Sequence, residues 1–135
     1  MAAQSGRDIL LKIEDGESFV SVAGLRARTI SLNARPVDVT DADSHGRWRE
    51  LLEGAGVRTA SVSGQGIFRD QQSDALMREM FFAQTLKRWQ LMIPDFGIIE
   101  GPFQILALEY AGQHDGEASF ALSLASAGAL VFTAI

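Results

Sequence analysis

The chain contains no cysteine. That excludes disulfide bonds, thiolate-held metal and a cysteine nucleophile, and it leaves the redox compartment open. Histidine is almost as scarce. His45 and His114 are the only two, each in a loop with acids nearby, Asp41 and Asp43 for the first, Asp115 and Glu117 for the second. Neither spacing matches a zinc or facial-triad signature, so solvated loop histidines are favoured over a shared metal site. Basic runs are missing too. Of twelve basic residues ten are arginine, and the closest pairs are Arg26/Arg28, Arg47/Arg49 and Lys87/Arg88, against a net charge of −5. A protein that grips nucleic acid draws most of its affinity from neutralised phosphates, and this dispersed balance does not provide it. Arginine in place of lysine fits protein–protein contact, and it fits a bias of base composition equally well. There is no serine elbow, no activated lysine and no glycine-rich phosphate cradle running from a strand into a helix. The chain reads as a non-enzyme without cofactor or metal.

What is present is strand pattern. The start, MAAQSGRDILLKIEDG, lacks the apolar stretch of a secretion signal. Ala118 to Ile135 carries no charge, but Phe120, Leu122 and Leu124 alternate with Ser119, Ala121 and Ser123. That period of two, broken at Gly128, describes a pair of buried strands and not a lipid-facing helix. Ile9 to Glu14 and Phe19 to Val22 flank Asp15-Gly16-Glu17, a hairpin signal. Arg26 to Leu32, Val57 to Phe68, Lys87 to Ile93 and Phe103 to Tyr110 read as further strands, with Pro94-Asp95-Phe96-Gly97 as a turn. In Val57 to Phe68, Ala60, Val62 and Gly64 alternate with Ser61, Ser63 and Gln65; so little side-chain volume suits close packing or subunits set side by side. The apolar LVFTAI end fits a segment held in a sheet.

One helix is expected, over about 73–85. Ser73 is its candidate cap and Asp74 suits the positive end of its dipole. Leu76, Met80 and Ala83 repeat at helical spacing, widened by Met77, Phe81 and Phe82. Such a methionine and aromatic stripe is more often core than a ligand groove. The tally predicts a mainly β chain: a single domain over 1–135, an antiparallel sandwich or barrel with a helix packed across it.

The segment of about 35–56 stands apart. Its VDVTDADSHGRWRE (Val37 to Glu50) places Asp41, Asp43, His45 and Gly46 at positions one, three, five and six of a calcium loop. That loop requires an oxygen ligand at position five and a bidentate glutamate at twelve, where this chain has His45 and Leu52. Calcium is disfavoured. Trp48, Leu51 and Leu52, at i, i+3 and i+4, suggest a short helical turn ended by Gly54 and Gly56. A loop of this length in a small domain is usually functional.

The steps AGLRARTISLNARPVDVTDADSHGRWRELL, SVSGQGIFRD and WQLMIPDFGIIEGPFQILALEYAGQHDGEASFALSLASAGALVFT, in this order across nearly the whole chain, resemble the major tail proteins of phages with non-contractile tails. The similarity is to tail tube proteins of the TP901-1 type and their prophage and gene transfer agent relatives. That resemblance implies homohexameric rings stacked into a tube, DNA passing through the lumen without specific binding, and a place in the virion tail after synthesis in the bacterial cytoplasm. It implies contacts with tape-measure and tail terminator proteins, and none with membrane. Six copies at −5 give about −30 per ring, so an acidic or neutral lumen is expected to guide DNA without holding it. Within this resemblance the long loop is expected to reach a neighbouring subunit or ring. Asp38, Asp41 and Asp43 are then acceptors for arginines, and Arg47, Trp48 and Arg49 interface anchors. The competing reading is a loop whose Trp48 and Leu51 pack on their own sheet. The alternative function is a soluble β-sandwich binding module of a tail or host surface.

Overall fold

The computed structural model describes residues 9–112, 114 and 116–135. Strands β1 (Leu10–Asp15), β2 (Ser18–Ser21) and β3 (Leu25–Ala34) come first, then β4 (Arg58–Ile67), helix α1 (Gln72–Ala83), β5 (Lys87–Ile93), β6 (Gly97–Ala111), β7 (Ser119–Ser126) and β8 (Val131–Ala134). All pairings are antiparallel, in the order β2-β1-β5-β6-β7-β4-β3, with β8 also on β6.

The long strand β6 organises this order because its two halves have different neighbours. Gly97 to Phe103 pairs with β5, and Gly97 to Glu100 also pairs with β8; Phe103 to Ala111 pairs with β7. One half-sheet is therefore β2-β1-β5-β6-β8 and the other β6-β7-β4-β3. Their inner faces meet. Leu11, Ile13, Trp89 and Leu91 from the first and Val62, Phe120, Leu122 and Leu124 from the second belong to one buried cluster. Every second residue of these strands is apolar, so a period of two delivers one side of each half-sheet to the core. The expected sandwich is what folds.

Helix α1 packs its Leu76, Met77 and Met80 into that cluster. Its start differs from the expectation. Gln71 is the N-cap, in a capping box where the Asp74 carboxylate accepts the Gln71 N–H at 3.0 Å. Ser73 is buried inside the helix and its Oγ accepts the Ala23 N–H at 3.0 Å. Nor is the whole stripe core: Met77 and Met80 are buried, while Phe81 and Phe82 are exposed. The helix ends where Gln84 turns left-handed at φ 54°.

The strand expected over Phe103 to Tyr110 begins earlier, at Gly97. Its glycines permit the close approach of the β7–β8 segment, which runs along the edge of β6 opposite β5. A Cβ on Gly101 would come within 2.4 Å of Leu130, and one on Gly97 within 2.5 Å of Phe132. Ala127 donates its N–H to the Pro102 carbonyl at 2.9 Å, which joins the two edges where β7 gives way to β8.

Candidate functional site

The segment between β3 and β4 is a projecting arm and not a helical turn. Arg35 N–H donates to Val57 O at 2.9 Å, Leu52 N–H to Val37 O at 2.8 Å and Val39 N–H to Glu50 O at 2.9 Å, with Asp38 opposite Leu51. The arm thus continues the β3–β4 hairpin as an irregular ribbon. The Glu50 N–H reaches the Thr40 hydroxyl at 2.7 Å. Trp48, Leu51 and Leu52 do not form the expected helical turn because the backbone of 50–52 is committed to these cross-arm bonds. A 3-10 turn lies just before, over His45–Arg47, with Gly46 and Arg47 both left-handed at φ near 61–62°. For arginine that conformation is uncommon and costs energy.

All six expected contact residues lie on this arm. Asp38 sits on its stem, and its carboxylate accepts the Thr40 N–H at 2.8 Å. Hydrogen bonding by the Thr40 side chain and then its backbone, with the Arg49 charge adding to them, holds the Asp38 carboxyl below its ordinary range. Asp41 and Asp43 form the turn: Asp41 Oδ1 accepts the Asp43 N–H at 2.9 Å, and Ser44 Oγ accepts the Asp41 N–H at 3.0 Å. Arg47, Trp48 and Arg49 follow at the tip. Among the described residues none of these acids forms an ion pair with Arg47 or Arg49. Trp48 is 75% exposed, and Val37, Val39, Leu51 and Leu52 are exposed as well. The arm therefore does not pack Trp48 and Leu51 on its own sheet. Among the described residues no cluster of three metal-ligating side chains occurs. The expected neighbour of His114, Asp115, lies outside the described residues.

Of the second surface, the sequence pointed only to the small-residue strand over 57–68 and the uncharged C-terminal strands, as candidates for packing between subunits. The outward face of β3-β4-β7-β6 is built from three cross-strand rows: Ser31-Ser61-Ala125-Gln104, Thr29-Ser63-Ser123-Ala107 and Ala27-Gln65-Ala121-Glu109. Twelve positions carry one charge, Glu109. The signal was present in the alternating serines and alanines of β4 and β7, but the rows require the pairing of strands distant in sequence. The outer face of the other half-sheet is charged instead: Arg88 reaches Glu100 at 2.6 Å, as does Gln90.

This half-sheet is also open at both sides. Among the described residues, no strand pairs with the far edge of β3, or with β6 from Gln104 to Ala111 on the side that β5 vacates after Phe103. Beside that stretch of β6 a groove of about 370 Å³ runs along the end of α1. Unpaired edges with exposed apolar neighbours invite another chain.

A family model described as phage tail tube protein matches residues 3–132. A chain from the tail of an empty gene transfer agent particle, refined with C6 symmetry, is 54% identical with a TM-score of 0.93, covering 98% of this chain and 100% of that one. A chain of a native gene transfer agent virion is 55% identical with a TM-score of 0.91 over the same shares. The SPP1 tail tube protein shares the fold at 14% identity, with a TM-score of 0.70 and coverage of 97% of this chain and 79% of that one. No curated protein matches the sequence.

Proposed function

Because the chain belongs to the phage tail tube protein family, we propose that it is the tube subunit of a non-contractile, phage-like tail, six copies closing each ring and rings stacking into the conduit for DNA. Its role in this reading is structural and not catalytic, carried by residues 1–135 as a single tail tube domain. One observation carries the conduit: the β3-β4-β7-β6 half-sheet combines two open edges with an outward face that is almost free of charge. Closing open edges on identical copies removes an aggregation hazard and makes a barrel. Four strands from each of six copies give about 24, more than the roughly 16–18 that already leave an aqueous channel in barrels.

Turned inward, that face meets DNA with hydroxyls, methyl groups and amides. None of its twelve row positions is a cation, and Arg26 at its margin is paired with Glu117, so attraction does not accumulate ring after ring. Guidance without binding then comes from neutrality, with six Glu109 carboxylates as the lumen's acidic component. The excess acids of the chain include Asp38, Asp41 and Asp43 on the arm, where they and Arg47, Trp48 and Arg49 serve contacts between subunits or rings. Exposed Trp48, and arm acids that form no ion pair with Arg47 or Arg49 among the described residues, support that use. Tape-measure and tail terminator proteins are the further partners, within a virion or phage-like particle assembled from protein made in the bacterial cytoplasm.

Negative-stain microscopy of the concentrated protein is the test. Stacked rings with a central hole are expected. Compact monomers at every concentration would favour a soluble β-sandwich binding module instead.

A further inference from the structure

Resting on the tube-subunit reading, we propose that a ring closes through one lateral contact: Leu32 on the open edge of β3 seats in the groove between α1 and the open edge of β6 on a second copy of this chain. Leu32 follows Ile30 on the inward-facing side of β3, where inner-face residues go to the core. Yet Leu32 is 64% exposed, because nothing among the described residues covers that end of the strand. The groove has the complementary defect. Met80, Phe81, Phe82, Thr85, Ile105 and Leu106 are among its lining residues, and Phe82 and Leu106 are 79% and 60% exposed. An exposed leucine and an apolar trough thus lie on opposite edges of one half-sheet.

Their levels along the strands agree. Leu32 pairs with Ala60, the Ala60 N–H donates to the Ser126 hydroxyl at 2.9 Å, and Ser126 pairs with Phe103. Continuing this row into the next copy arrives beside Gln104, Ile105 and Leu106, the β6 wall of the groove. A closed barrel requires some stagger between strands, and a three-residue wall accommodates it. The direction is also right. Three antiparallel steps separate β3 from β6, so a neighbour's β6 laid against β3 continues the antiparallel pattern.

Charge is compatible with the same pairing. Glu109 ends the row Ala27-Gln65-Ala121-Glu109, so with the same stagger the neighbour's Glu109 falls at the Ala27–Thr29 end of β3, near Arg26, which pairs with Glu117 of its own chain at 3.6 Å. Leu32 meets the groove at one end of the joint while Glu109 faces the Arg26–Glu117 pair at the other. Because the two partner surfaces are different patches of one chain, the contact is head-to-tail and propagates until a ring closes.

The absence of cysteine allows a clean test. In the double variant Leu32→Cys/Leu106→Cys, a short bis-maleimide applied to assembled tubes should yield a covalent ladder up to six subunits, and neither single variant should. Tubes of the double variant that give no ladder would overturn the contact while leaving the tube reading intact. Wild-type protein that forms no rings under any condition would sink both. A second variant covers the case in which the double variant does not assemble. Leu32→Asp lies outside the core, so it should keep the wild-type circular dichroism spectrum and need at least about tenfold more protein to form rings, the loss expected for one buried leucine. Rings at the wild-type concentration would overturn the proposal.

Discussion

Gly56 lies against the Arg35 carbonyl at the root of the arm. Gly56 has φ +90°, and a Cβ there would fall 1.7 Å from the Arg35 oxygen. The neighbouring bond, Arg35 N–H to Val57 O, holds the two sides together at 2.9 Å. Only glycine fits both the left-handed backbone and the close approach. Gly56→Val should therefore reset the angle at which the arm leaves the sheet, with the buried cluster untouched. Native-like circular dichroism with few or no tubes by microscopy is expected. Normal tube yield would show that the arm's angle does not matter for assembly.

Much of this architecture was legible in the sequence, and the exceptions share physical causes. Lys87 to Ile93 forms a strand with the expected bounds, and Phe120, Leu122 and Leu124 go to the core as their alternation indicates. The first half of β6 was hidden because Gly97, Gly101 and Pro102 look like loop residues until Phe132 and Leu130 are seen resting where Cβ atoms would be. Trp48, Leu51 and Leu52 have helical spacing over too short a span to be decisive, and cross-arm hydrogen bonds to 37–40 override it. Ser73 has the chemistry of a cap but finds its partner in Ala23, fifty residues away. For the proposed contact surfaces, the six arm residues were visible as an odd, long, charged loop. The open edges were not, since an edge is defined only once β4 has paired with β7 across more than fifty residues of intervening chain.

Trp48 tests whether the arm is a contact or an ornament. At 75% exposure its side chain contributes little to the stability of its own chain. Trp48→Ala should shift the unfolding free energy by no more than about 0.5 kcal/mol. If Trp48 anchors a neighbour, the same change should weaken each contact by about 2 kcal/mol, or roughly thirtyfold in the concentration needed for tubes. Combining it with Asp41→Ala, which removes the acceptor of the Asp43 N–H, should give folded protein with still poorer assembly. A double variant that builds tubes at the wild-type concentration would exclude this role.

Glu100 gives the fold a modest dependence on acid. Hydrogen bonds from Gln90 and then Arg88, together with the Arg88 charge, hold its carboxyl below the ordinary glutamate range. The folded-state pKa is thus lower than the unfolded one. The stabilisation is fully present above the ordinary range and is lost as pH falls through the folded value. Arg88 and Glu100 are both partly solvated, so the effect should stay below about 1 kcal/mol. Urea midpoints of Glu100→Gln should fall short of wild type at neutral pH and converge with it in acid. An unchanged gap across that pH range would show that the charge on Glu100 does not matter to folding.

The neutral outer face makes the sharpest claim about DNA. Ser63 lies mid-row between Thr29 and Ser123, exposed and remote from the core cluster. Ser63→Lys should leave tube formation intact while adding about six positive charges per ring. If this face lines the lumen, those charges stand within a Debye length, roughly 8 Å at physiological salt, of passing phosphates. Attraction then recurs at every ring, and delivery should slow most at low ionic strength and recover partly as salt rises, because phosphate contacts weaken steeply with salt. Ser63→Glu, of similar bulk and opposite sign, should deliver DNA at close to the wild-type rate. Equal slowing by both would point to obstruction by bulk. Equal and normal delivery by both would place this face away from the DNA, and the β3-β4-β7-β6 half-sheet would have to lie on the outside of the tube.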